Sequence, residues 1–576
     1  MIRVAAHNIL SPLGGTTEAN LTAVRRGCSA IHRWENRWGV PQPFMASLFS
    51  DEQTAEWQQT GLTRFEALAV TSIRRAVADW LQEGGTEAEL TGDRTVLILS
   101  STKGNVGEMG KENVDEACLS LGHSAAVIAR EVGITTQPIT VDNACISGAS
   151  AIIFASRLLR MGCFDHAVVC GCEVQSRFII SGFQSLKAMS AEPCRPFDID
   201  RMGMNAGEAA ATVILTRSED NRLPWHVVEG VMRNDAHHVS EPSMTAEGAW
   251  RALRAVTDDV DPDRLAFISA HGTATMFNDQ MEAVAIDRAG LGKVPVCAVK
   301  GNYGHTMGAC GVLETILSMA AVDKGIVLPT KGFEEQGVSK PILVTRKEQP
   351  TTKLSFIKML SGFGGGNAAL LMSKDSRLQT KSSDMGSHSR RHTVIVSSDG
   401  VTVDGRPLEV QAKGKAMLTE IYKQRIGNYP RFYKMDMLSR LVFISAELLL
   451  KAEQASNSVA DGQQQETDTR AMMFVGHSGS ICADRNYWQT ICRDDDYYPS
   501  PERFVYTLPN VVMGDLAAHN HYHGETSFFF LPRRDDEAVN RILQSAFLDP
   551  DTQSVIGGWV DAPDENHFEA EVSIIT

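Results

Sequence analysis

The stretch TVDNACISGASAIIFASRLL, residues 140–159, decides the fold. An apolar, β-like run leads to Cys145, small residues follow it, and apolar residues then recur at helical spacing. The pattern predicts a strand, a tight turn and a helix, with Cys145 in the turn. Two interpretations are open. The thiol could lie at a helix N-terminus, where the dipole and free N–H groups favour its anion. It could equally be a buried sulfur that fills a gap in the core.

Residues 1–373 alternate short β-like runs with helical patterns. RTVLILSST, AFISAHGTA and NAALLMS have the apolar, β-branched composition of buried strands, whereas RFEALAVTSIRRAVADWL and VLETILSMAAVDKG have helical spacing. The alternation predicts an α/β domain in which helices cover a largely buried sheet. At residue 374 the composition turns polar and loses its apolar periodicity, which predicts a linker over residues 374–391.

Residues 392–576 form a second α/β domain that repeats the first. Three segments of the first domain, at Leu62, Arg94 and Ala155, return in the same order at Leu438, Arg470 and Leu543. Each match is weak alone because helix–strand texture recurs in any α/β protein, but the shared order favours a duplication.

The repeat bears on the nucleophile. Matching Gly148 to Gly514 places Val511 opposite Cys145. Valine cannot ionise, attack or be acylated, so the second domain is predicted to lack a nucleophile.

Polar residues of catalytic type follow other apolar runs of the first domain. His271 ends the run AFISAH and is followed by Gly and two Thr, while Lys300 and His305 lie in the loop AVKGNYGHTMGACG. In open α/β sheets, sites gather beyond the carboxyl ends of strands. The turn LSGFGGGN allows a close backbone approach to a ligand but lacks the spacing of a phosphate loop or dinucleotide motif.

Four stretches together, NACISGA, AHGTAT…ND, KGNYGHTMGACG and GFGGGNAAL, resemble those of the β-ketoacyl synthases, over about residues 1–373. The resemblance is to the Cys-His-His condensing enzymes of fatty-acid and type II polyketide synthesis. It implies a thiolase-like fold, duplicated into five layers α-β-α-β-α, with residues 392–576 similar to the N-terminal half of such a synthase. The implied reaction is decarboxylative Claisen condensation of an acyl thioester with malonyl-acyl carrier protein.

The resemblance also implies roles for individual residues. Cys145 resembles the acyl-accepting nucleophile, and His271 and His305 resemble the pair that stabilises the enolate of the decarboxylated malonyl unit. Lys300 resembles the lysine that holds this network. Phe363 resembles the gating aromatic, whose N–H forms an oxyanion hole with that of Cys145.

A substrate-binding set is implied as well. Thr273 and Thr275 resemble the pair that binds the phosphopantetheine arm of the carrier protein, and Glu314 resembles the buried carboxylate that orders the site behind Lys300. Met204 stands in RMGMNAGEAA, where many family members have an aromatic residue, so it is expected to widen or reshape the malonyl pocket. Ordinary core packing is the other interpretation of Met204.

Two alternatives belong to other functional classes. A thiolase shares the duplicated fold but has a second Cys where this chain has Gly362; Cys310 is interpreted as packing. A chain-length factor lacks the nucleophile, which this first domain keeps. We therefore hypothesise that residues 392–576 are a catalytically silent half-domain that docks on a synthase surface or another partner.

Composition bounds the partners. The net charge of −15 argues against a nucleic-acid binder, which needs a basic face, while an acidic carrier protein could still dock on a local basic patch. The family further implies a homodimer, or a heterodimer with another ketosynthase or a chain-length factor. No apolar run is long enough for a membrane span, and no secretion signal is recognisable, which makes a cytoplasmic location the default expectation.

No resident metal or cofactor is expected. The 11 Cys show neither CxxC pairs nor a disulfide framework. The three histidines of HNHYHGE, at 519, 521 and 523, lack a carboxylate or Cys at ligand spacing, which favours a solvated loop over a metal site.

Overall fold

The computed structural model describes residues 1–112, 114–220, 222–379, 386, 388–457 and 468–576. Among these residues no helix is long and apolar enough to cross a membrane.

Residues 2–217 build a mixed five-stranded sheet with helices on both faces. The strand order is β1-β8-β6-β4-β5, in which β6, β4 and β5 run parallel and β8 is antiparallel to both neighbours. The elements are β1 Ile2–Leu10, α1 Thr17–Arg25, β2 Ile31–Trp34, β3 Phe44–Ser47, α2 Asp51–Trp57, α3 Arg64–Gln82, α4 Glu87–Thr91, β4 Thr95–Ser100, α5 Leu121–Glu131, β5 Ile139–Val141, α6 Ser147–Arg160, β6 His166–Glu173, α7 Arg177–Ser185, β7 Ala206–Gly207 and β8 Ala209–Arg217.

Residues 226–373 repeat this sheet with the same order and the same strand directions. Here the order is β9-β16-β15-β10-β11, and β13 is added beyond β11. The elements are β9 His226–Asn234, α8 Glu247–Thr257, β10 Leu265–Ser269, α9 Met276–Arg288, β11 Pro295–Cys297, α10 Lys300–Tyr303, α11 Cys310–Asp323, β12 Ile326–Val327, β13 Leu343–Val344, β14 Gln349–Pro350, β15 Ser355–Ser361 and β16 Gly366–Ser373.

Helices α6 and α11 form the middle layer of the first domain. They pack on each other, α6 contacts strands of both sheets, and α11 does the same. Nearly every residue of the two helices is buried, which fits a layer covered on both sides. Helix α3 covers the outer face of the first sheet and α8 that of the second. The predicted five-layer α-β-α-β-α arrangement is therefore confirmed.

Residues 390–575 build a third sheet of the same design. The order β17-β23-β22-β20-β21 has the strand directions of the first sheet. The elements are β17 Arg390–Ser397, β18 Gly400–Val403, β19 Arg406–Pro407, α12 Gly414–Ile421, α13 Met437–Asn457, β20 Ala471–Gly476, α14 Ile481–Trp488, α15 Pro501–Val505, α16 Val511–Asn520, β21 Thr526–Phe530, α17 Asp536–Ser545, β22 Val555–Asp561 and β23 Glu569–Ile575. We call residues 392–576 the half-domain. The three predicted matches are confirmed, because α13, β20 and β22 occupy the places of α3, β4 and β6.

The half-domain joins the first sheet edge to edge. Strand β21 pairs antiparallel with β5, with Phe529 opposite Val141. The Phe529 ring also packs on Phe154, with ring centroids 4.8 Å apart. A buried ion pair crosses the same boundary, between Arg157 and Glu525 at 2.5 Å. The two sheets therefore share one core.

The predicted match of Val511 to Cys145 is wrong. In the first sheet α5 precedes β5 and α6 follows it; in the half-domain α16 precedes β21 and α17 follows it. Val511 thus corresponds to Leu121, and the place of Cys145 falls in the turn LPRRD at residues 531–535. That turn has no cysteine, so the place in the half-domain that corresponds to Cys145 holds no thiol. The error came from using a glycine as the marker, since glycine signals close packing rather than a position in the topology.

The predicted linker over residues 374–391 lies partly outside the described residues. Its beginning packs on the first domain, because the carbonyl of Leu378 accepts a hydrogen bond from Nε2 of His226 at 2.7 Å. Strand β17 begins at Arg390, one residue before the predicted end of the linker at residue 391.

Candidate active site

Cys145 lies in the tight turn between β5 and α6, as predicted. The turn needs a positive φ at Ala144, 50°, and it is closed by the Ser147 hydroxyl, which accepts from the Asn143 N–H at 2.8 Å and donates to the Ala144 carbonyl at 2.6 Å. A left-handed non-glycine residue is strained and persists only where its surroundings fix it. The strand, the turn and the Ser147 hydroxyl therefore present the Cys145 sulfur at the end of the sheet.

The two predicted histidines face this sulfur. Sγ of Cys145 and one ring nitrogen from each of His271 and His305 all lie within 4.8 Å of one another. The imidazole rings are nearly perpendicular, with centroids 4.9 Å apart. His271 follows β10 and His305 follows α10, both in the second half of the fold. The duplication thus supplies the nucleophile from one half and both imidazoles from the other.

The hydrogen bonding of His305 fixes which ring nitrogen carries its proton. Nδ1 accepts from the backbone N–H of Met307 at 3.2 Å, so in the neutral ring the proton is on Nε2. Within the described part of the chain, Nε2 of His305 and Nδ1 of His271 are buried without a hydrogen-bond partner. His305 therefore has an N–H available for an oxygen atom of a bound substrate.

Two buried lysines share one carboxylate behind the histidines. Nζ of Lys300 lies 2.7 Å from Oε1 of Glu314, and Nζ of Lys358 lies 2.5 Å from Oε2. The two lysine cations and the single Glu314 anion together leave a net positive charge. Burial, with Lys300 and Lys358 adding to it, holds the pKa of both His271 and His305 well below its ordinary value. Both imidazoles are consequently neutral.

A second buried carboxylate holds the backbone of His271. Glu282 accepts from the N–H groups of His271 and Gly272, at 2.6 and 2.7 Å, and from the Asn278 amide at 2.9 Å. Burial raises the pKa of Glu282 to about 7, with the neighbouring Asp279 adding to the rise. This carboxylate fixes the turn after β10 from which the imidazole projects.

The glycine turn between β15 and β16 lies against the nucleophile. A Cβ placed on Gly362 would lie 3.2 Å from the backbone nitrogen of Cys145, so a side chain here would press on the turn of the nucleophile. Phe363, the next residue, is half-buried, and its ring stacks on Phe183 with centroids 6.2 Å apart. Gly364 and Gly365 have φ of 84° and 71°, the left-handed region that glycine occupies readily.

A cavity of about 460 Å³ opens onto these residues. Its lining includes the sulfur-bearing residue, both histidines, Phe363 and most of the predicted substrate-binding residues, namely Cys145, His271, His305, Phe363, Thr273, Thr275 and Met204. The hydroxyls of Thr273 and Thr275 lie 2.8 Å apart. Glu314 is not part of the lining: it lies behind Lys300, as an ordering residue would, and touches no space for substrate.

The electrostatics of the thiol differ from the sequence-based expectation. Burial raises the pKa of Cys145 to about 12; Lys300 opposes the rise, while Glu173 and Asp142 add to it. The helix N-terminus therefore does not give a resting thiolate, because the desolvation of a sulfur anion outweighs the nearby favourable groups.

Some site residues gave a weak signal in the sequence, or none. Lys358 is a lone charge within the apolar strand SFIKMLS, which could have marked it as a buried, paired lysine. Glu282 lies on α9 among ordinary helical residues. The backbone carbonyl of Asn205, next to Met204, accepts a hydrogen bond from the backbone N–H of His305 at 2.6 Å.

The interpretation of Cys310 as packing agrees with the structure, whereas the solvated loop expected at HNHYHGE is wrong, because His519 lies on α16 and both His519 and His523 are half-buried. Cys310 is fully buried at the start of α11, with its sulfur 3.3 Å from the Cys145 carbonyl, and it is outside the cavity lining. These two histidines contact separate partners: the His519 ring packs at a tilt against Tyr429, with centroids 4.9 Å apart, and Nδ1 of His523 donates to the Asn234 carbonyl at 2.9 Å.

Family models for the two halves of one protein family match the chain. The model "Beta-ketoacyl synthase, N-terminal domain" matches residues 2–221, and "Beta-ketoacyl synthase, C-terminal domain" matches residues 226–334. The chain belongs to the β-ketoacyl synthase family. The boundary between the two matches coincides with the boundary between the two duplicated sheets.

Individual members of the family are moderately similar. The 3-oxoacyl-[acyl-carrier-protein] synthase 2 of Rhizobium meliloti is 33% identical over 258 residues, which is 40% of this chain and 60% of that protein. The chain thus spans about 60% of the length of that curated relative.

Two solved structures are informative. "The ishigamide ketosynthase/chain length factor" has 27% identity and a TM-score of 0.58, and covers 65% of this chain and 98% of that one. "PfaC Keto synthase-Chain length factor" has a TM-score of 0.74 and covers 100% of this chain and 78% of that one, at 16% identity. The second likeness concerns the fold alone, and it extends through the half-domain.

Proposed function

We propose that this protein catalyses decarboxylative Claisen condensation between an acyl group and malonyl-acyl carrier protein, giving a 3-oxoacyl-acyl carrier protein. One observation carries the proposal: the Cys145 sulfur and two neutral imidazoles lie within 4.8 Å of one another at a cavity large enough for a thioester arm. Nucleophile and donors for a developing oxyanion are the two things that the reaction requires.

In the first step Cys145 accepts the acyl group. Its sulfur bonds to the acyl carbon, the bond from that carbon to the carrier thiol breaks, and the proton of Cys145 ends on the departing sulfur. Because the pKa of Cys145 is about 12 in the resting site, its proton must leave as the attack proceeds. The backbone N–H groups of Cys145 and Phe363 would bind the oxyanion, as the family resemblance implies.

In the second step the malonyl thioester loses carbon dioxide. The electron pair of the broken carbon–carbon bond moves to the thioester oxygen, and the resulting enolate accepts the N–H of His305 and a hydrogen bond from His271. Neutral donors suit this step, since their N–H groups stabilise the oxyanion without protonating the carbon. Removing one such donor typically slows a reaction by about a hundredfold or more.

In the third step the enolate carbon attacks the acyl thioester on Cys145. A carbon–carbon bond forms, the bond to Sγ breaks, and the sulfur takes up one proton from solvent. The net charge of the two lysines and Glu314 keeps the imidazoles neutral throughout. The reaction therefore needs no metal or redox cofactor; the phosphopantetheine arm belongs to the carrier protein.

The mouth of the cavity fits a carrier-borne arm. Thr273 and Thr275 line the cavity. Three apolar side chains that also border it, Met202, Met276 and Phe277, are 76%, 56% and 62% exposed. Exposed apolar groups around a cavity are typical of docking surfaces. We take an acyl carrier protein as the partner that docks there.

The half-domain supports a further part of the proposal. Strand β21 occupies the open edge of β5, so residues 392–576 already cover the sheet edge that a second subunit could pair with. We propose that they act as a silent docking half-domain. We also propose a homodimer, or a heterodimer with a chain-length factor, that forms through other surfaces of the protein. The native mass of the full chain tests this.

The decisive experiment is intact mass spectrometry of the full chain. A carrier protein loaded with an acyl group should add one acyl mass to this protein. A carrier protein loaded with a malonyl group should then remove that acyl group and give the 3-oxoacyl product with carbon dioxide. Cys145→Ala should take up no acyl group. Release of the acyl group by acetyl-coenzyme A without malonyl would instead favour a thiolase, and no acyl uptake would overturn the proposal.

A further inference from the structure

The glycine turn that carries Phe363 is held from outside by the half-domain. Asn510, the residue before α16, donates from its side-chain amide Nδ2 to the Phe363 carbonyl at 2.8 Å. This bond crosses from the half-domain to a residue of the site cavity. Phe363 is thus bonded at its carbonyl by the half-domain while its ring lines the space in front of Cys145.

The approach is close enough to require glycine on both sides. A Cβ on Gly364 would lie 2.7 Å from Nδ2 of Asn510, and a Cβ on Gly514 would lie 2.5 Å from the Gly364 carbonyl. The start of α16 therefore packs directly on the turn. Within the described residues, Oδ1 of Asn510 is buried and accepts no hydrogen bond, so the bond to Phe363 is what the amide makes here.

The same helix reaches a second loop of the cavity. Asp515 of α16 lies 3.8 Å from the Arg431 guanidinium and accepts from Tyr429 at 2.7 Å. Arg431 in turn lies 3.3 Å from Nε2 of His238, which lines the cavity. The two loops are joined to each other as well, because the N–H of Gly364 donates to the Val239 carbonyl at 2.7 Å.

We propose that Asn510 is a positioning residue for condensation. By holding the Phe363 carbonyl it keeps the glycine turn closed over Cys145, with the Phe363 N–H and ring in place. The half-domain thereby contributes to catalysis without a nucleophile of its own. This inference rests on the proposed condensing function and assigns the half-domain a part in it.

The physical reason is the steep dependence of catalysis on geometry. A displacement of about 1 Å in a group that lines a reacting centre can cost roughly a hundredfold in rate. The turn has three glycines in sequence, 364 to 366, and so has little resistance of its own to such a shift. Its position depends on the bonds made to it, and the one from Asn510 reaches Phe363, which lines the same cavities as Cys145.

Two substitutions separate a positioning role from a merely structural one. Asn510→Asp has the same shape but cannot donate when ionised, and it places a negative charge against the Phe363 carbonyl. Asn510→Ala removes the donor at every pH. The matched control is Glu116→Gln, an equally isosteric change at the same boundary, where Glu116 accepts from the Arg485 guanidinium at 2.8 Å and lines neither cavity.

We expect kcat for condensation to fall about 10- to 100-fold in both Asn510 variants near neutral pH, with KM for malonyl-carrier protein nearly unchanged. As the pH falls from about 7.5 to about 5.5, the Asp variant should recover relative to wild type, because a protonated carboxyl regains an O–H that donates to Phe363. The Ala variant should not recover, and the control should match wild type throughout. Equal kcat in all proteins, or the same pH profile for Asp and Ala, would overturn the inference.

A readout that needs no turnover keeps the two proposals separable. Mass-resolved alkylation of Cys145 by a bulky maleimide should be several-fold faster in both Asn510 variants, because a released turn uncovers the sulfur. If wild type fails to condense, the proposed function fails while this measurement still decides the position of the turn. Unchanged alkylation in the variants would count against the role of Asn510 in either case.

Discussion

Gly148 of α6 and Gly311 of α11 touch at the centre of the molecule. A Cβ built on Gly311 would lie 2.2 Å from the backbone nitrogen of Ala149, so the two helices meet backbone to backbone. Each helix follows directly on a segment of the site, α6 on the turn of Cys145 and α11 on the loop of His305. Their contact is therefore what brings the nucleophile and that imidazole to one cavity.

The first prediction follows from this contact. Gly311→Ala should destabilise the protein by about 1–3 kcal/mol, since a methyl group at this crossing forces two backbones apart. Condensation should fall as well, because separating the helices moves His305 from Cys145. Thermal unfolding and kcat measure the two effects. Gly400→Ala is the control, as its Cβ meets nothing within 4 Å; equal stability of both variants would contradict the argument.

The second prediction concerns the thiol itself. Because burial raises the pKa of Cys145 to about 12, the thiolate fraction should grow tenfold per pH unit across the neutral and mildly alkaline range. The iodoacetamide alkylation rate at Cys145 should rise with the same slope and without a plateau. Peptide mapping separates this site from the exposed Cys28 and Cys492. A plateau near neutral pH would show a stabilised thiolate instead.

Much of this site could be predicted from short motifs, because its chemistry depends on residues that stand beside glycine turns. Cys145, His271 and His305 were found in this way. The half-domain alignment failed at Val511 because a single glycine cannot distinguish α5 from α6 when each packs on a neighbour. Asn510 carries no sequence signal, since its role exists only when β21 has joined β5.

The third prediction concerns the shared carboxylate. Lys358→Met should leave a balanced pair of Lys300 and Glu314, whereas Glu314→Gln should leave two buried cations unpaired and cost about 3–5 kcal/mol. We therefore expect the lysine variant to be the more stable in thermal or denaturant unfolding. The reverse order would show that Lys358 is held mainly by the carbonyls of Ser269 and Ala270, at 3.1 and 2.9 Å.

The same lysine variant should move the pH profile, which is the fourth prediction. Lys358 helps to hold the pKa of His271 and His305 below its ordinary value, so its removal favours the imidazolium and raises both pKa values. Loss of activity on acidification should then begin at a higher pH in Lys358→Met than in wild type. The acid limb of kcat for malonyl decarboxylation measures this shift. An acid limb that stays in place, or moves to lower pH, would contradict the electrostatic role.

The last prediction concerns acyl length. Nζ of Lys103 lies 2.6 Å from Oδ1 of Asp484 in the half-domain, and the lysine also donates to the Thr507 carbonyl. Lys103, Thr507 and Phe504 border a second cavity of only about 20 Å³ that Cys145 also lines. Such a space holds little more than one water molecule. A long acyl chain on Cys145 that entered it would displace a buried ion pair.

We therefore expect wild type to accept acetyl groups much faster than octanoyl groups. Lys103→Met combined with Asp484→Leu removes both charges together, and replacing a buried ion pair by apolar side chains usually costs little stability. The double variant should raise the rate of octanoyl uptake relative to acetyl uptake by roughly tenfold or more. Intact mass after incubation with each acyl-carrier protein gives both rates. Lys103→Met alone is the comparison, because it strands Asp484 without its cation and should lose stability instead. If wild type already takes octanoyl as fast as acetyl, the ion pair does not limit the chain, since nothing then has to be displaced for the longer group to fit.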